Sequence, residues 1–260
     1  EYITNAHGGT ILNNTIISGV GYGIYINGPD NLTVIGNTGT SKTGVGIRSI
    51  GSDGSSFISN VGTSTSNYGI GVETANDDIL SYNNGTSNSS YGLNIDGLRN
   101  SRATYNNGTN NAGSYGIYLI DSTPNMTFDN NLGKGLRGIY IVRSANSTYF
   151  SNIGTGTTYG MYWNTISFSN LTDNQGTSSG ATGTSDGIVY DTVIHSSISS
   201  ITGTGTFGRG IYSIDCINNT HISNTGTSNN TYGFYIQSTT NSIFHNNIGT
   251  SNLSYGNYVY

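Results

Sequence analysis

A glycine that returns about every 23 residues constrains this chain more than any other feature. It opens variants of the phrase Gly-Ile-Tyr-Ile at Gly23, Gly46, Gly69, Gly92, Gly116, Gly138, Gly160, Gly187, Gly210, Gly233 and Gly256. The steps vary slightly between Gly116 and Gly160, and one longer step takes in 178–185, read as an extended turn. A second glycine follows 16 or 17 residues later, at Gly39, Gly62, Gly85, Gly108, Gly133, Gly154, Gly176, Gly203, Gly226 and Gly249. Thr comes next in every copy except at Lys134. Two residues before it stands Asn, at Asn37, Asn60, Asn83, Asn106, Asn131, Asn152, Asn174, Asn224 and Asn247, with Ile201 the one interruption.

A period of this length means a solenoid, in which each unit buries its apolar face against the next. Between the anchors lie short β-branched and aromatic runs of period two, broken by Gly, Asn and Ser-Thr turns, which is strand chemistry. No stretch has helical periodicity, and the 39 glycines would each cost a helix roughly 1 kcal/mol. The leucine framework of a leucine-rich repeat is missing. The expected fold is all-β: a single parallel β-helix domain over 1–260, of about eleven coils with ~23 residues each. Coils stacked roughly 4.8 Å apart turn each sequence column into a physical ladder.

The columns give the cross-section. One residue after the leading glycine stand Ile24, Ile47, Ile70, Leu93, Ile117, Ile139, Met161, Ile188, Ile211 and Phe234. Two further on stand Ile26, Val72, Ile95, Leu119, Ile141, Trp163 and Ile236, with Ser49, Tyr190 and Ser213 as exceptions. Alternation points both columns into the bore. The Asn series reads as a structural ladder at a tight turn, its amides bonding between coils, since Asn tolerates left-handed dihedrals. Between the two apolar columns, pointing outward, come Tyr25, Tyr118, Tyr140, Tyr162, Tyr212, Tyr235 and Tyr258, read as an exposed aromatic ladder. A further column, Tyr22, Tyr68, Tyr91, Tyr115, Tyr159, Tyr232 and Tyr255, precedes the glycine and covers the corner.

This pattern resembles the pectate-lyase-like right-handed parallel β-helix superfamily, with the short β-helix repeats of carbohydrate-binding and sugar-hydrolase domains and of archaeal and bacterial surface proteins. The resemblance spans essentially the whole chain and implies right-handed winding. It is specific for fold and weak for function, because that superfamily mixes lyases, hydrolases, adhesins, spikes and envelope proteins.

Composition excludes several classes. Charged residues make up 8% and the net charge is −5, which leaves no basic stripe for a nucleic acid. No apolar run approaches the ~20 residues of a transmembrane helix. The single cysteine, Cys216, allows no disulfide framework and reads as a small buried side chain. Aromatics at 11% and apolar residues at fixed intervals argue against disorder.

Candidate chemistry is sparse. Glu73 and Asp96 occupy neighbouring rungs of one column, with Asp121 one position further on in the next coil. Such a carboxylate group could share a proton or act as a retaining glycosidase pair, so these three are the catalytic candidates. The bland reading, solvated acids at a strand end, is favoured, and the balance leans against an enzyme. No cofactor is expected. Asp77 and Asp78 leave Ca²⁺ open but do not make a site alone, and the unequal offsets of His195, His221 and His245 argue against zinc. Asn-x-Ser/Thr sequons occur at Asn13, Asn31, Asn84, Asn88, Asn107, Asn125, Asn146, Asn170, Asn218, Asn229 and Asn252, making N-glycosylation a working hypothesis.

The ends match in register. Tyr2 and Ile3 fall in the same strand of the coil as Tyr258, Val259 and Tyr260, and no capping segment is recognised at either. Open ends expose unpaired backbone and invite stacking, and such a contact propagates instead of closing. The chain opens at Glu1 without a signal peptide, as a processed protein or a fragment of a longer β-helix would. The expected function is structural and extracellular: self-association through the ends Tyr2, Ile3, Tyr258, Val259 and Tyr260 into a cell-surface sheath, filament or S-layer. The alternatives are a polysaccharide lyase or glycoside hydrolase, and a glycan-binding adhesin.

Overall fold

In the computed structural model, which describes residues 1–122, 124–181 and 184–260, every regular element is a strand. The longer turn expected at 178–185 falls partly outside these residues. All the strand pairings among them are parallel and link each coil to the next. The chain winds as a right-handed parallel β-helix of about eleven turns. A typical coil has three short strands, Ile47–Ile50, Ser56–Ile58 and Val61–Ser64, and the next repeats them as Ile70–Glu73, Ile79–Ser81 and Asn84–Ser87. Ile47 pairs with Ile70, Phe57 with Leu80 and Gly62 with Gly85, so the sequence period becomes the ladder offset.

The two glycine columns have one cause. They lie back to back where the third strand of a coil meets the first strand of the following one. A Cβ on Gly46 would stand 2.5 Å from the Gly69 carbonyl oxygen and 2.5 Å from the Thr63 nitrogen; one on Gly39 would collide with the Gly46 carbonyl. Only hydrogen fits where backbone meets backbone.

Corners follow a rule of their own. Thr74, Asp77 and Tyr82 all have positive φ, at 55°, 56° and 55°, and the equivalent residues recur from coil to coil. The ladder Asn are not among them. The left-handed residue is the one just before each, such as Ser59 before Asn60 and Asn130 before Asn131. This corrects the expectation that Asn is chosen for its tolerance of that conformation. Asn is chosen for its amide: Asn60 Nδ2 donates to Asn83 Oδ1 at 3.0 Å and to Val34 O at 2.8 Å, while its own Oδ1 accepts from Asn37 N at 3.0 Å and Asn37 Nδ2 at 3.1 Å. The ladder residues from Asn37 to Asn224 are buried, and wherever Asn follows Asn this pattern satisfies them.

Where two successive steps shorten, the corner loop between third and first strands disappears. Leu132–Ala145 and Ile153–Ser167 then run as continuous strands of 14 and 15 residues, with a register shift between Gly135 and Arg137. The bore holds Ile24, Ile26, Ile70, Val72, Leu93 and Ile95 in the early coils, and Trp163, Tyr190, Cys216 and His221 in the later ones.

Candidate functional site

The acidic group lies on the outer side of the first strand. Glu73 and Asp96 are register partners on adjacent rungs. Arg48, one coil below Glu73, holds it with Nε to Oε1 at 3.0 Å and Nη2 to Oε2 at 2.6 Å, and donates through Nη1 to the Tyr22 hydroxyl at 2.9 Å. Asp121 sits on a left-handed corner and is clamped by Arg143, with bonds of 2.6 and 2.8 Å. Those hydrogen bonds hold the Asp121 carboxyl below the usual carboxylate range. Asp96 lies between the two pairs, and burial, then the Asp121 and Glu73 charges, push its pKa up. The structure thus brings the three carboxylates together and ties two of them to guanidinium partners, so one side chain is left for proton transfer. General acid–base chemistry on a glycan needs two groups with separate tasks.

The outward Tyr ladder is half-buried, which corrects its description as exposed. It interleaves with the corner column. Tyr115 stacks against Tyr118 at 5.1 Å and Tyr140 at 4.9 Å, and Tyr140 against Tyr162 at 4.9 Å; Tyr235 and Tyr258 stack 5.3 Å apart with nearly parallel planes. Tyr25 packs at a tilt against Tyr22 and Tyr2, and Tyr212 against Tyr235. Each ring covers its neighbours, leaving edges and hydroxyls to solvent. Burial raises the Tyr118 phenol to about 12 and lifts that of Tyr162, which donates to Asp191 at 2.5 Å. Arginines are set among the rings. Arg209 lies 3.5 Å from the Tyr212 centroid and is paired with buried Asp186 at 2.7 Å. Arg137 lies 5.0, 5.2 and 5.5 Å from Tyr115, Tyr140 and Tyr159 and has no carboxylate partner among the described residues.

The remaining candidates do not converge. Asp78 is buried and accepts from Ser55 N at 2.7 Å and Ser52 Oγ at 2.5 Å, whereas Asp77 is exposed and bonds Asn76. The two do not share a cation site. Burial raises the Asp78 carboxyl to about 6. His195 stacks on Phe168 at 4.8 Å outside the helix, His221 is inside it, and His245 is exposed.

Two features escaped the sequence reading. One is a second side-chain ladder at the opposite corner: Leu32 N donates to Ser55 Oγ, Ser55 N to Asp78 Oδ1, Asp78 N to Ser101 Oγ, and Ser196 N to Asn219 Oδ1, at 2.7–3.1 Å. Its signal is a column of Ser, Asp and Asn nine residues after the leading glycine, hidden because several residue types do the same task. The other is the polar filling of the later bore.

Known proteins place the fold. The family described as Periplasmic copper-binding protein (NosD) matches residues 2–136, just over half of the 260. None of the curated proteins compared with the chain matches it. Among solved structures, the A-module of the Azotobacter vinelandii mannuronan C-5 epimerase AlgE4 superposes with a TM-score of 0.50 at 13% identity, over 97% of this chain and 83% of the module. The Streptococcus pneumoniae surface protein and adhesin PfbA gives 0.38 at 8% identity, over 100% of this chain and 91% of its own.

Copper calls for soft sulfur and imidazole donors meeting at one point. Here Cys216 is buried with its Sγ against the Ile214 and Tyr190 carbonyls at 3.3 and 3.7 Å, and the histidines are dispersed. Among the described residues no three of His, Cys, Asp and Glu come together as a ligand group. The donor set does not fit a copper centre. No helix of the described residues is long and apolar enough to cross a membrane.

Proposed function

The chain belongs to the NosD family, and from that premise we propose that it is a structural β-helix working outside the cytoplasm, as a rigid element of a surface layer, sheath or filament. One observation carries this reading: two of the three candidate acids are held by arginines, Glu73 by Arg48 and Asp121 by Arg143, while backbone pairing ties coil to coil throughout the described residues and the amide ladder accompanies it except at Ile201. The side chains are spent on rigidity. The family description, periplasmic, and the low charge support a location beyond the cytoplasmic membrane.

The finer part of the proposal is end-to-end growth. Tyr2 and Ile3 pair with Tyr25 and Ile26, and Tyr258 and Val259 with Tyr235 and Ile236. The first and last coils therefore keep one register, and in the proposed assembly a second copy of the chain continues the ladders, with Tyr2, Ile3, Tyr258, Val259 and Tyr260 at the joint. Edge pairing of this kind is strong and self-propagating. Electron microscopy and sedimentation of the native material test it: elongated assemblies with a repeat of one chain length are expected, and a monodisperse monomer at all concentrations would sink it.

A glycan-binding surface is the second reading. It is favoured by Arg137, a cation without a carboxylate partner among three tyrosine rings, since ring faces and a guanidinium together suit sugars bearing acidic groups. Glycan-array binding that survives Arg137→Ala would remove it. An enzyme is ranked last; glycan cleavage lost in Glu73→Gln, Asp96→Asn and Asp121→Asn would reverse the order.

A further inference from the structure

Left-handed corners in this helix are filled mostly by Gly, Asn, Asp, Ser and Thr, which adopt that conformation at small cost or bond their own backbone. Phe or Tyr appears there three times among the described residues, at Tyr82, Tyr105 and Phe168, with φ of 55°, 54° and 50°. All three rings face solvent, at 59%, 50% and 58% exposure. A bulky ring held in an unfavourable backbone conformation and left in water earns nothing for the core, and such outliers point to function. Each of the three stands two residues before the asparagine of a sequon: Tyr82 before Asn84, Tyr105 before Asn107, Phe168 before Asn170. None of the other eight sequons has a Tyr or Phe at that position.

We propose that Asn84, Asn107 and Asn170 are N-glycan acceptors, each built with an aromatic platform for the first sugar. The backbone sets this up in the same way three times. The corner turns the ring outward, the following residue turns inward, and the acceptor begins or continues a strand with its side chain outward: Asn84–Ser87, Asn107–Asn110 and Asn170–Thr172. In a strand, residues two apart share a face, so the sequon threonines Thr86, Thr109 and Thr172 stand beside their acceptors. Among the described residues no hydrogen bond is donated by the side-chain amides of the three acceptors, a freedom shared with Asn13, Asn31, Asn88, Asn146 and Asn229, whereas Asn125, Asn218 and Asn252 donate theirs to Asn100, His195 and Asn229. The ring two residues ahead offers a flat apolar face to the C–H side of a sugar attached at the acceptor.

The sites differ in room. Beside Phe168, Asn170 and His195 runs an open groove of ≈ 620 Å³. Phe168 lays one face on His195, 4.8 Å away and parallel within 2°, which stiffens the platform. Asn84 and Asn107 are register partners on adjacent coils, about 4.8 Å apart, and Tyr82 and Tyr105 stack on each other at 5.1 Å. Two branched sugars cannot leave from points so close, so this pair takes one glycan per molecule.

The transfer is an ordinary substitution at an anomeric carbon. The donor is a lipid-linked glycosyl pyrophosphate, supplied with its transferase. The acceptor Nδ2 forms a bond to the sugar C1 while the C1–O bond to phosphate breaks. The lipid pyrophosphate leaves with the electron pair, its phosphates still joined to the lipid, and one amide proton passes to a base of the transferase. The proposal rests on the extracytoplasmic reading above, because donor and acceptor meet outside the cytoplasm.

Peptide-mapping mass spectrometry of the chain from its native cells tests it. A glycan is expected on Asn170 and on either Asn84 or Asn107, never both in one molecule. Tyr82→Ser and Tyr105→Ser keep their corner, since Ser59, Ser151 and Ser200 occupy it elsewhere, and Phe168→Asn keeps its own, which Asn146 and Asn218 occupy in other coils; each variant should lose occupancy at its own acceptor with the sequon intact. Unmodified peptides at all three acceptors, or unchanged occupancy in these variants, would overturn the proposal. Fractionating the same cells separates the readings: an exported but unmodified chain removes the acceptors alone, and a cytoplasmic chain removes the surface reading and the acceptors with it.

Discussion

Between Ile26 and Ile141 one inward column reads Ile26, Ser49, Val72, Ile95, Leu119 and Ile141; above it the same column reads Trp163, Tyr190, Ser213 and Ile236. In the earlier coils this column is aliphatic with one hydroxyl. The later bore also takes in Cys216 and His221, and Trp163 stacks on Tyr190 at 5.2 Å while His221 stacks on Phe244 at 4.4 Å. Despite this, the glycine contacts, left-handed corners and amide ladder run through both regions. The specification of the coil therefore lies in its backbone contacts and corners, and the bore need only be filled. Cores tolerate changes of filling as long as volume is kept.

The harshest way to break this comparison is at the glycines. Gly46 and Gly210 belong to different regions, yet a Cβ on either would lie 2.5 Å from the next coil's carbonyl oxygen, that of Gly69 or Gly233. Alanine at either position should cost about 3 kcal/mol or more, and valine should abolish folding. Circular dichroism and urea unfolding read the effect. If Gly210→Ala were tolerated and Gly46→Ala were not, the later coils would not share the backbone code.

A finer contrast, about 1 kcal/mol between two sites, is expected in the amide ladder. Asn106 accepts from Asn83 N and Nδ2 and donates to Leu80 O and Asn131 Oδ1. Asn224 follows Ile201, so it accepts only from Ile201 N while donating to Ile198 O and Asn247 Oδ1. At about 1 kcal/mol per buried bond, Asn106→Ala should cost roughly 4 kcal/mol and Asn224→Ala roughly 3. Equal costs in chemical denaturation would mean the ladder is not a sum of local bonds.

The anchors of this code were legible in the sequence because each is a single residue type at a single offset: Gly46 with Gly69, Asn60 with Asn83. The second ladder was not, since Ser55, Asp78 and Asn219 supply the same acceptor with different side chains. The glycine columns were visible, but their cause was not, because Gly39 and Gly46 meet only after the coil closes. The acid group was found by register at Glu73 and Asp96, while Arg48 and Arg143 were not recognised as its clamps; each lies a coil away, and side-chain reach cannot be read from spacing. The half-burial of the Tyr ladder was missed for a similar reason, as Tyr115 and Tyr140 cover each other only across coils.

Acid separates the regions by sign. His221 is buried among aromatic rings, and burial lowers its pKa to about 3 from an unfolded value of about 6.5. Its contribution is complete above pH 6.5 and is lost as pH falls towards 3, amounting to about 2 kcal/mol by pH 5. Asp78 in the earlier coils behaves oppositely. Its folded pKa of about 6 exceeds its unfolded value of 3.8, so its contribution is full below pH 3.8 and is lost as pH rises through 6. Asp78→Asn should therefore stabilise the protein at pH 7 by about 1–3 kcal/mol, keeping an acceptor for Ser55 N as Asn219 does for Ser196. His221→Phe should flatten the loss between pH 6.5 and 4. Thermal unfolding across pH reads both, and a His221→Phe protein as acid-sensitive as the parent would assign that sensitivity elsewhere.

The smallest effect asks whether the two bores are equally dry. Ser49 Oγ in the earlier bore and Tyr190 Oη in the later one are both buried without a hydrogen-bond partner. Removing an unsatisfied buried hydroxyl relieves its desolvation cost, so Ser49→Ala and Tyr190→Phe should each leave stability unchanged or raise it by about 1 kcal/mol. The surroundings differ. Ser49 pairs in register with Ile26 and Val72, where water would find no second partner. Tyr190 adjoins Ser213 in register and meets His221 edge-on at 5.9 Å, and the Ser213 hydroxyl and both His221 ring nitrogens are likewise unpartnered. A water needs two or more such groups. A gain for Ser49→Ala combined with a loss of about 1 kcal/mol for Tyr190→Phe would therefore show a bound water in the later bore, making the contrast between the regions one of hydration as well as of side-chain size.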